Sequence, residues 1–545
     1  MKRLTLVLVL IALSFTFSSA ETDLERRTRE WMEANPHSLP HWLTPEELTR
    51  LDEIGRDFVP TAPPPGPVRN ISEFEQMEAV LIRYPFGISY AVIAEMSQDC
   101  VVTTIVTNQS QENTVRGYYA SNGVNLDNCT FLHHATDSYW TRDYGPWYIT
   151  NGDGQFAIVD FPYNRPRPND DDISVALANS LGIPWYGMDL TAAGGNYMTD
   201  GMNIAASTTL VWQENSGMTH QQIADMVENY LGVTTYHVVV DPNNTYIDHI
   251  DCWGKFLDVD KILIRSVSTS HPQYDEIEAT VDYFEAQTSA YGTPYEIHRV
   301  YTQSNQPYTN SLILNNKVFV PITGSSWDDD AIASYQAAMP GYEVLGFTGS
   351  WESTDALHCR AMGLADRGML YIHHLPIVGT VRVGARYQIE ACITAYSGET
   401  VIADSVAVFY RVDGGAYNRV AMTSTVGATW VATIPTQVPG SQVGYYIHAA
   451  DGSGRRANHP YIGAPDPHLF LVGGLSAPVV SIVQNGGQIT LTWSPVPGAL
   501  SYNVYSSTNP YGGFLEDISG VLNGTSWTTT ISGEEGFYRV TATDE

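Results

Sequence analysis

The sequence predicts an α/β domain through the middle of the chain, followed by two all-β modules. Three observations carry that expectation. Between about residues 68 and 375, strand-like and helix-like runs alternate, the pattern of an α/β layer architecture. After His374 the texture changes to short alternating strands with Gly-rich turns. Ahead of both stands Pro60-Thr61-Ala62-Pro63-Pro64-Pro65-Gly66-Pro67, a stiff extended linker. The length of 545 residues fits about three domains at ~100–200 residues each.

Taken in order, Met1–Ala20 reads as a secretory signal. Lys2 and Arg3 form its basic start, Leu4 to Leu13 its apolar run, and Ser18-Ser19-Ala20 its small-residue cleavage site. No later stretch has the ~20 apolar residues of a membrane span. The expectation is an exported protein without a transmembrane segment, secreted, cell-surface or periplasmic. Residues 21–59 read as polar and helical; with the linker they make a leading segment, 21–67, that is a removable pro-region or a packed N-terminal extension, the former being preferred. Within it Thr44-Pro45-Glu46-Glu47 carries a helix start and capping box.

The α/β segment, 68–375, offers strands at Ala79–Arg83, Val101–Val106, Ala157–Phe161, Thr235–Val240, Lys261–Arg265 and Lys317–Pro321. Its helices are expected at Ser174–Leu181, His220–Leu231, Pro272–Gln287 and Asp330–Met339. No internal repeat is visible in it. Residues 376–472 suggest an immunoglobulin-like sandwich, with a hairpin turn at Asp413-Gly414-Gly415. Residues 473–545 resemble a fibronectin type III module with Trp493 as a core plug. Such β modules commonly serve as spacers or attachment domains.

Composition narrows function. Basic residues number 27 against 59 acidic, a net charge of −32, which disfavours nucleic acid as a partner. The same field favours cations, cationic substrates included. Five cysteines (Cys100, Cys129, Cys252, Cys359 and Cys392) leave at least one thiol unpaired within the chain.

Five clusters carry candidate chemistry: Trp140–Trp147 with Asp143; Gly194-Gly195-Asn196 with Asp200; His249-Ile250-Asp251; Asn310; and His358-Cys359. On a strand, His249 and Asp251 would face the same side. The glycines lack the spacing of a dinucleotide fingerprint or a P-loop, and no Gly-x-Ser-x-Gly elbow occurs. No zinc spacing is present. Asp170-Asp171-Asp172 and Asp328-Asp329-Asp330 could hold a structural calcium or sodium ion, but solvated loops, with Asp330 starting a helix, are the preferred reading.

Together, and in this order, these clusters resemble the bacterial (Porphyromonas-type) peptidylarginine deiminase family, related to the agmatine deiminases. The resemblance covers 68–375 and implies a pentein fold, a five-bladed α/β propeller with the site on its axis. It implies Cys359 as nucleophile, His249 as general acid and base, Asp143 and Asp251 as ligands of the guanidinium, and Asn310 as a support for Cys359. It requires no cofactor and no metal. Trp140, Tyr246 and Asp200 are expected to line the substrate groove. Arg165 and Arg167 match the peptidylarginine branch, where such residues grip the carboxylate of a C-terminal arginine. A guanidinium fork suits that task. Ser353-Thr354-Asp355-Ala356-Leu357 stands where agmatine deiminases usually carry glycines.

The expected function is a secreted deiminase converting C-terminal arginine of peptides or proteins to citrulline and ammonia through a Cys-thiouronium intermediate. Agmatine or free arginine is the alternative substrate. A secreted binding or adhesion protein with an inactive enzyme fold is the second alternative. The β modules would provide cell-surface attachment.

Overall fold

The computed structural model describes residues 22–543, apart from residue 354 and the stretches 383–385, 474, 476, 497–498, 509–513, 515–517, 521 and 531–535. The expected signal sequence Met1–Ala20 lies outside the described residues. The chain divides into two compact units, the first comprising Met1–Gln287, Tyr295–Tyr335 and Val344–Ala365.

Five small sheets make up the first unit, and they share a plan. In four of them a short strand pairs antiparallel with the next strand, which then pairs parallel with a third. These are Trp147–Thr150, Phe156–Asp160 and Trp185–Gly187; Met198–Thr199, Ile204–Thr208 and Thr235–Val239; Gly254–Asp258, Lys261–Ser266 and Glu296–Tyr301; and Met362–Ala365, Met77–Arg83 and Val101–Val106, extended by Cys129–His133. The fifth sheet orders Leu312–Leu314, Lys317–Ile322 and Glu343–Thr348. The sequence hides this repeat because only the pairing plan recurs, while the side chains that fill each sheet differ.

Each strand run named from the sequence forms, with ends moved by one or two residues. Val101–Val106 is buried along nearly its whole length, as a parallel strand covered on both faces should be. Helices cover the sheets. His220–Leu231 is typical: Thr219 and Gln222 complete a capping box, and Gly232 ends it at φ 72°. Its buried Ile223, Val227, Tyr230 and Leu231 recur at the helical period.

The leading segment differs from expectation. Its longest helix is Asp23–Ala34. The Thr44–Glu47 capping box forms, with Glu47 accepting from the Thr44 amide at 2.8 Å, but opens only the 3-10 turns Glu47–Thr49 and Leu51–Glu53.

The second unit, Thr288–Pro294, Gln336–Glu343 and Asp366–Glu545, takes in the last turn of the helix Asp328–Ala338; from Asp366 on, its described residues are strands and turns apart from the 3-10 turn Ala403–Ser405, and this β part begins earlier than the 375/376 boundary read from the sequence. Leu370–His373 pairs with Tyr387–Ala395, so it belongs to the β part. One core, including Ile389, Val408, Tyr445 and Ile447, fills the region to about residue 472. A separate core holds Trp493, Tyr502 and Val504. Asp413 and Gly414 have φ 49° and 73°, as the expected turn requires. None of the five cysteines, all of them among the described residues, is in a disulfide bond.

Leu263 is fully buried in the central strand of its sheet. Leu263→Ala should cost about 2–5 kcal/mol in urea unfolding. Val483→Thr, on a strand exposed along its whole length, should stay within about 0.5 kcal/mol.

Candidate active site

The shared plan of the sheets explains where the chemistry lies. Just before the short first strand of each sheet, the chain makes a tight turn, and each turn carries one of the clusters. Thr141–Tyr144 presents Asp143, Gly194–Asn196 presents Gly195, Ile250–Cys252 presents Asp251, the turn before Leu312 presents Asn310, and His358–Arg360 presents Cys359. His249 and Asp251 are therefore not on a strand. His249 is extended, at φ −90° and ψ 140°, and leads into the 3-10 turn that holds Asp251.

Gly195 marks where the turns meet. A Cβ there would fall 2.7 Å from Asp143 Oδ1, 2.8 Å from His249 Nδ1 and 3.2 Å from Asp251 Oδ2. A Cβ on Gly194 would strike the Arg142 carbonyl at 2.1 Å. Both glycines are thus demanded by close approach. The Cys359 Sγ lies 3.6 Å from Asp251 Oδ2 and 3.3 Å from Asn310 Nδ2, which donates to it. Asn310 Oδ1 accepts from the amides of Ala356 (3.0 Å) and Cys359 (3.3 Å), so this one side chain fixes the cysteine turn. Asp143, His249, Asp251, Asn310 and Cys359 are all buried.

Burial and opposed charges set the protonation states. Burial raises the carboxyl of Asp143, but His41 and His249 outweigh it and hold the group well below its usual range. Asp251 is likewise lowered: His358 donates to its Oδ2 at 2.7 Å and overcomes burial. His249 is shifted toward its neutral form. Burial pushes it down to about 4 against the pull of the two aspartates, and neither ring nitrogen has a hydrogen-bond partner among the described residues. Burial, then the charges of Asp251 and Asp143, push the Cys359 thiol well above its ordinary value. As it stands, the site holds a neutral imidazole, a thiol and two carboxylates.

Four supporting residues have no role in the sequence reading, although His358 and Asp355 lie in stretches it names. His358 bridges Asp251 and Glu73, reaching Glu73 Oε2 through Nε2 at 2.5 Å. Glu73 also receives Lys255 Nζ at 2.9 Å and lies 3.1 Å from Arg142 Nη2. Asp355 receives Arg360 in a buried ion pair beside Cys359. His41, from the leading segment, is fully buried; its Nε2 meets Asp143 Oδ2 at 2.5 Å, and its ring stacks on Trp140 at 4.3 Å. His358 and Asp355 adjoin the cysteine in sequence. Neither Glu73 nor His41 stands in a local pattern that signals its partner.

The proposed groove residues divide. Trp140 packs at the site. Asp200 does not face it in these contacts: its Oδ1 accepts from the amides of Met202, Asn203 and Ile204 and shapes a turn. Tyr246 is half-exposed and lies edge-on to Trp42, 6.0 Å between centroids. Arg165 and Arg167 are neither solvated nor open. Arg165 donates to the His41 carbonyl from Nε and Nη2, both at 3.3 Å. Arg167 is ion-paired with Glu47 at 2.6 Å and donates to the Pro40 carbonyl at 2.7 Å.

The acidic runs are spent on protein contacts. Asp170 accepts from Ser138 Oγ, Asp171 from the Tyr163 amide, and Asp328 from the Tyr308 hydroxyl and the Gly324 amide. Among the described residues, the donor set with metal-like spacing is His41, Asp143 and His249, whose ligand atoms lie within 4.8 Å of one another.

A model of the Porphyromonas-type peptidyl-arginine deiminase family matches residues 72–363, more than half of the chain. A candidate agmatine deiminase of Shewanella baltica (strain OS195) is 24% identical over 261 residues, 40% of this chain and 70% of that protein. One from Mycoplasma mycoides subsp. mycoides SC is 25% identical over 287 residues, 45% of this chain and 76% of that protein. The agmatine deiminase structure from Enterococcus faecalis aligns with a TM-score of 0.50 at 19% identity, covering 55% of this chain and 96% of that one. A further candidate agmatine deiminase structure gives 0.51 at 21%, covering 57% and 99%. The two structures establish a shared mixed α/β deiminase fold. With the family match over the turns that hold Asp143, Gly195, Asp251, Asn310 and Cys359, the chain belongs to the Porphyromonas-type peptidyl-arginine deiminase family, whose relatives imply hydrolysis of an amidine C–N bond.

Proposed function

We propose that the protein hydrolyses the guanidinium of peptidyl arginine to citrulline and ammonia. The observation that carries this reading is the setting of Gly195: Asp143, His249 and Asp251 converge on its missing side chain, and Cys359 stands beside Asp251. A planar cation there can give its N–H groups to both carboxylates and present its central carbon to sulfur.

The cation would also change the protonation balance. The charges that hold the thiol proton, after burial, are those of Asp251 and Asp143. A guanidinium between them offsets both, and neutral His249 can accept the proton released. The thiolate attacks the central carbon, His249 returns the proton to the departing nitrogen, and ammonia leaves. His249 then takes a proton from water as it attacks the thiouronium carbon. The C–S bond breaks, the ureido product departs and the thiol is restored.

The choice of peptidyl arginine rests on Arg165 and Arg167, cations in a chain with 27 basic residues against 59 acidic. Agmatine remains the second reading, favoured by the names of the Shewanella and Mycoplasma relatives. On the peptidyl reading the five sheets are blades of a propeller around the site. Residues 376–472 and 473–545 are immunoglobulin-like and fibronectin type III-like modules, and the protein is exported by its leader.

A peptide ending in arginine, the same peptide with arginine internal, and agmatine should be compared as substrates. The C-terminal arginine should react fastest, with ammonia release, and Cys359→Ala should lower the rate at least a thousandfold, on the order expected for loss of a covalent nucleophile. Faster turnover of agmatine would transfer the assignment to the second reading; turnover surviving in the Cys359→Ala protein would sink both.

Gly195→Ala places a methyl group among the three reacting partners while removing no functional group. It should lower kcat/KM by about a hundredfold or more, while the close approach costs about 1–3 kcal/mol in urea unfolding, and the rate is measured on protein shown to be folded.

The pH profile has a definite sign. The free enzyme's thiol titrates above its ordinary range, so kcat/KM should climb as pH rises through neutrality. With the cation bound the thiol loses its proton more readily, so kcat should level off at lower pH than kcat/KM. Coincident profiles, or a fall above neutrality, would contradict this account.

A further inference from the structure

We propose that residues 36–47 of the leading segment are a built-in pseudosubstrate, and that the chain is latent until this segment leaves the groove. The inference rests on the deiminase reading for the identity of the groove, but its geometry stands apart from that reading. His41 sends its side chain into the pocket as an arginine would. Its ring stacks on Trp140, its Nε2 meets Asp143, and it lies edge-on to His249 with 5.7 Å between centroids. It occupies the cation position on one of the two carboxylates, and Asp251 is left to His358.

The backbone on either side of His41 is held as a peptide would be. Trp140 Nε1 donates to the Leu39 carbonyl at 3.1 Å, and the Leu39 amide donates to the Asp137 carbonyl at 3.0 Å. Arg167 donates to the carbonyls of Pro40 and Trp42, and Arg165 to that of His41. Four consecutive carbonyls are thus read by the domain with no regard to side-chain identity. Glu47 adds a carboxylate on Arg167, the group a peptide C-terminus would offer. Burial favours the neutral form of Glu47, yet Arg167 keeps it ionised below its usual range.

The remainder of the segment braces this insertion. Trp42 donates to Thr28 Oγ1 on the helix Asp23–Ala34 at 3.1 Å, and Arg27 of that helix lies over the Trp42 ring at 3.7 Å. Beside the inserted residues is a cavity of about 650 Å³ lined by Trp42 and Leu43 from the segment and by Arg165, Glu214 and Tyr246 from the domain. The consequence is that Cys359 has no exposed surface and both proposed carboxylate-gripping arginines are occupied. Downstream, Arg56 and Asp57 are exposed between the braced segment and the proline-rich linker, a place where a protease can cut.

The test uses the full chain, wild type and two variants, His41→Gly and Glu47→Gln. Two rates are measured. Alkylation of Cys359 by iodoacetamide is followed from the mass of its own tryptic peptide, and citrulline formation from a peptide ending in arginine is followed in parallel. Far-ultraviolet circular dichroism establishes that each variant is folded, and Glu47→Gln keeps the question open should His41→Gly fail to fold. Relative to wild type, both rates should rise about tenfold or more in His41→Gly and by a smaller factor in Glu47→Gln. A synthetic peptide of residues 36–47 should suppress both rates in the His41→Gly protein. Wild-type rates equal to or above those of the folded variants would overturn the latency while leaving the deiminase reading standing. Faster alkylation in the variants with no guanidine turned over by any form would support the occluding segment and overturn the deiminase reading instead.

Discussion

Two ionised carboxylates buried in one pocket set the terms for everything around them. Removing such groups from water costs several kcal/mol each unless cations and donors replace the lost hydration. The fold meets that demand asymmetrically. Asp251 is held by His358, which is itself anchored on Glu73 with Lys255 and Arg142 nearby. Asp143 has His41 and, at 3.5 Å, His249. The first arrangement is built into the domain, whereas the second borrows a residue from the leading segment. A guanidinium is the cation that could serve both carboxylates at once, and this complementarity underlies the functional reading.

The five-sheet plan makes the pocket possible. A lone active-site loop would have to support several buried polar groups at once. Here five turns each contribute one small element, and every turn is stabilised by its own sheet. Asn310 illustrates the economy: its oxygen closes the cysteine turn while its nitrogen addresses the thiol. Gly195 contributes an absence, since the space a side chain would fill is where three functional groups converge. The −32 charge of the chain is consistent with a cationic ligand, but it is these two buried aspartates that would bind one.

Much of this was legible in the sequence, and the gaps have physical causes. The strands and helices follow from local periodicity, so Val101–Val106 and His220–Leu231 fall where the pattern places them. Cys359, His249, Asp143, Asp251 and Asn310 were named from the resemblance that five individually weak clusters carry together, and their side chains lie in one pocket. The strand assigned to His249–Asp251 failed because a His-x-Asp spacing fits a turn as well as a strand, and only the following hairpin decides between them. His41 was invisible for a different reason: it lies 102 residues from Asp143, in a segment whose composition suggested only a polar lead. Glu73 is 285 residues from His358, and no local pattern encodes such a pairing. Arg165 and Arg167 stood out as two cations in one loop of an acidic chain; their partners here are carbonyls and Glu47, contacts that depend on where the leading segment docks.

The central claim is that the paired carboxylates hold a guanidinium carbon in front of Cys359. The most direct measurement is the intact mass of the protein, acid-quenched during turnover of an arginine-ended peptide, followed by peptide mapping. The account predicts a transient adduct equal to the peptide less one ammonia, located on Cys359 and lost when Asp143 and Asp251 are both changed to asparagine. Turnover proceeding with no adduct on Cys359, or with an adduct that persists in that double variant, would contradict it.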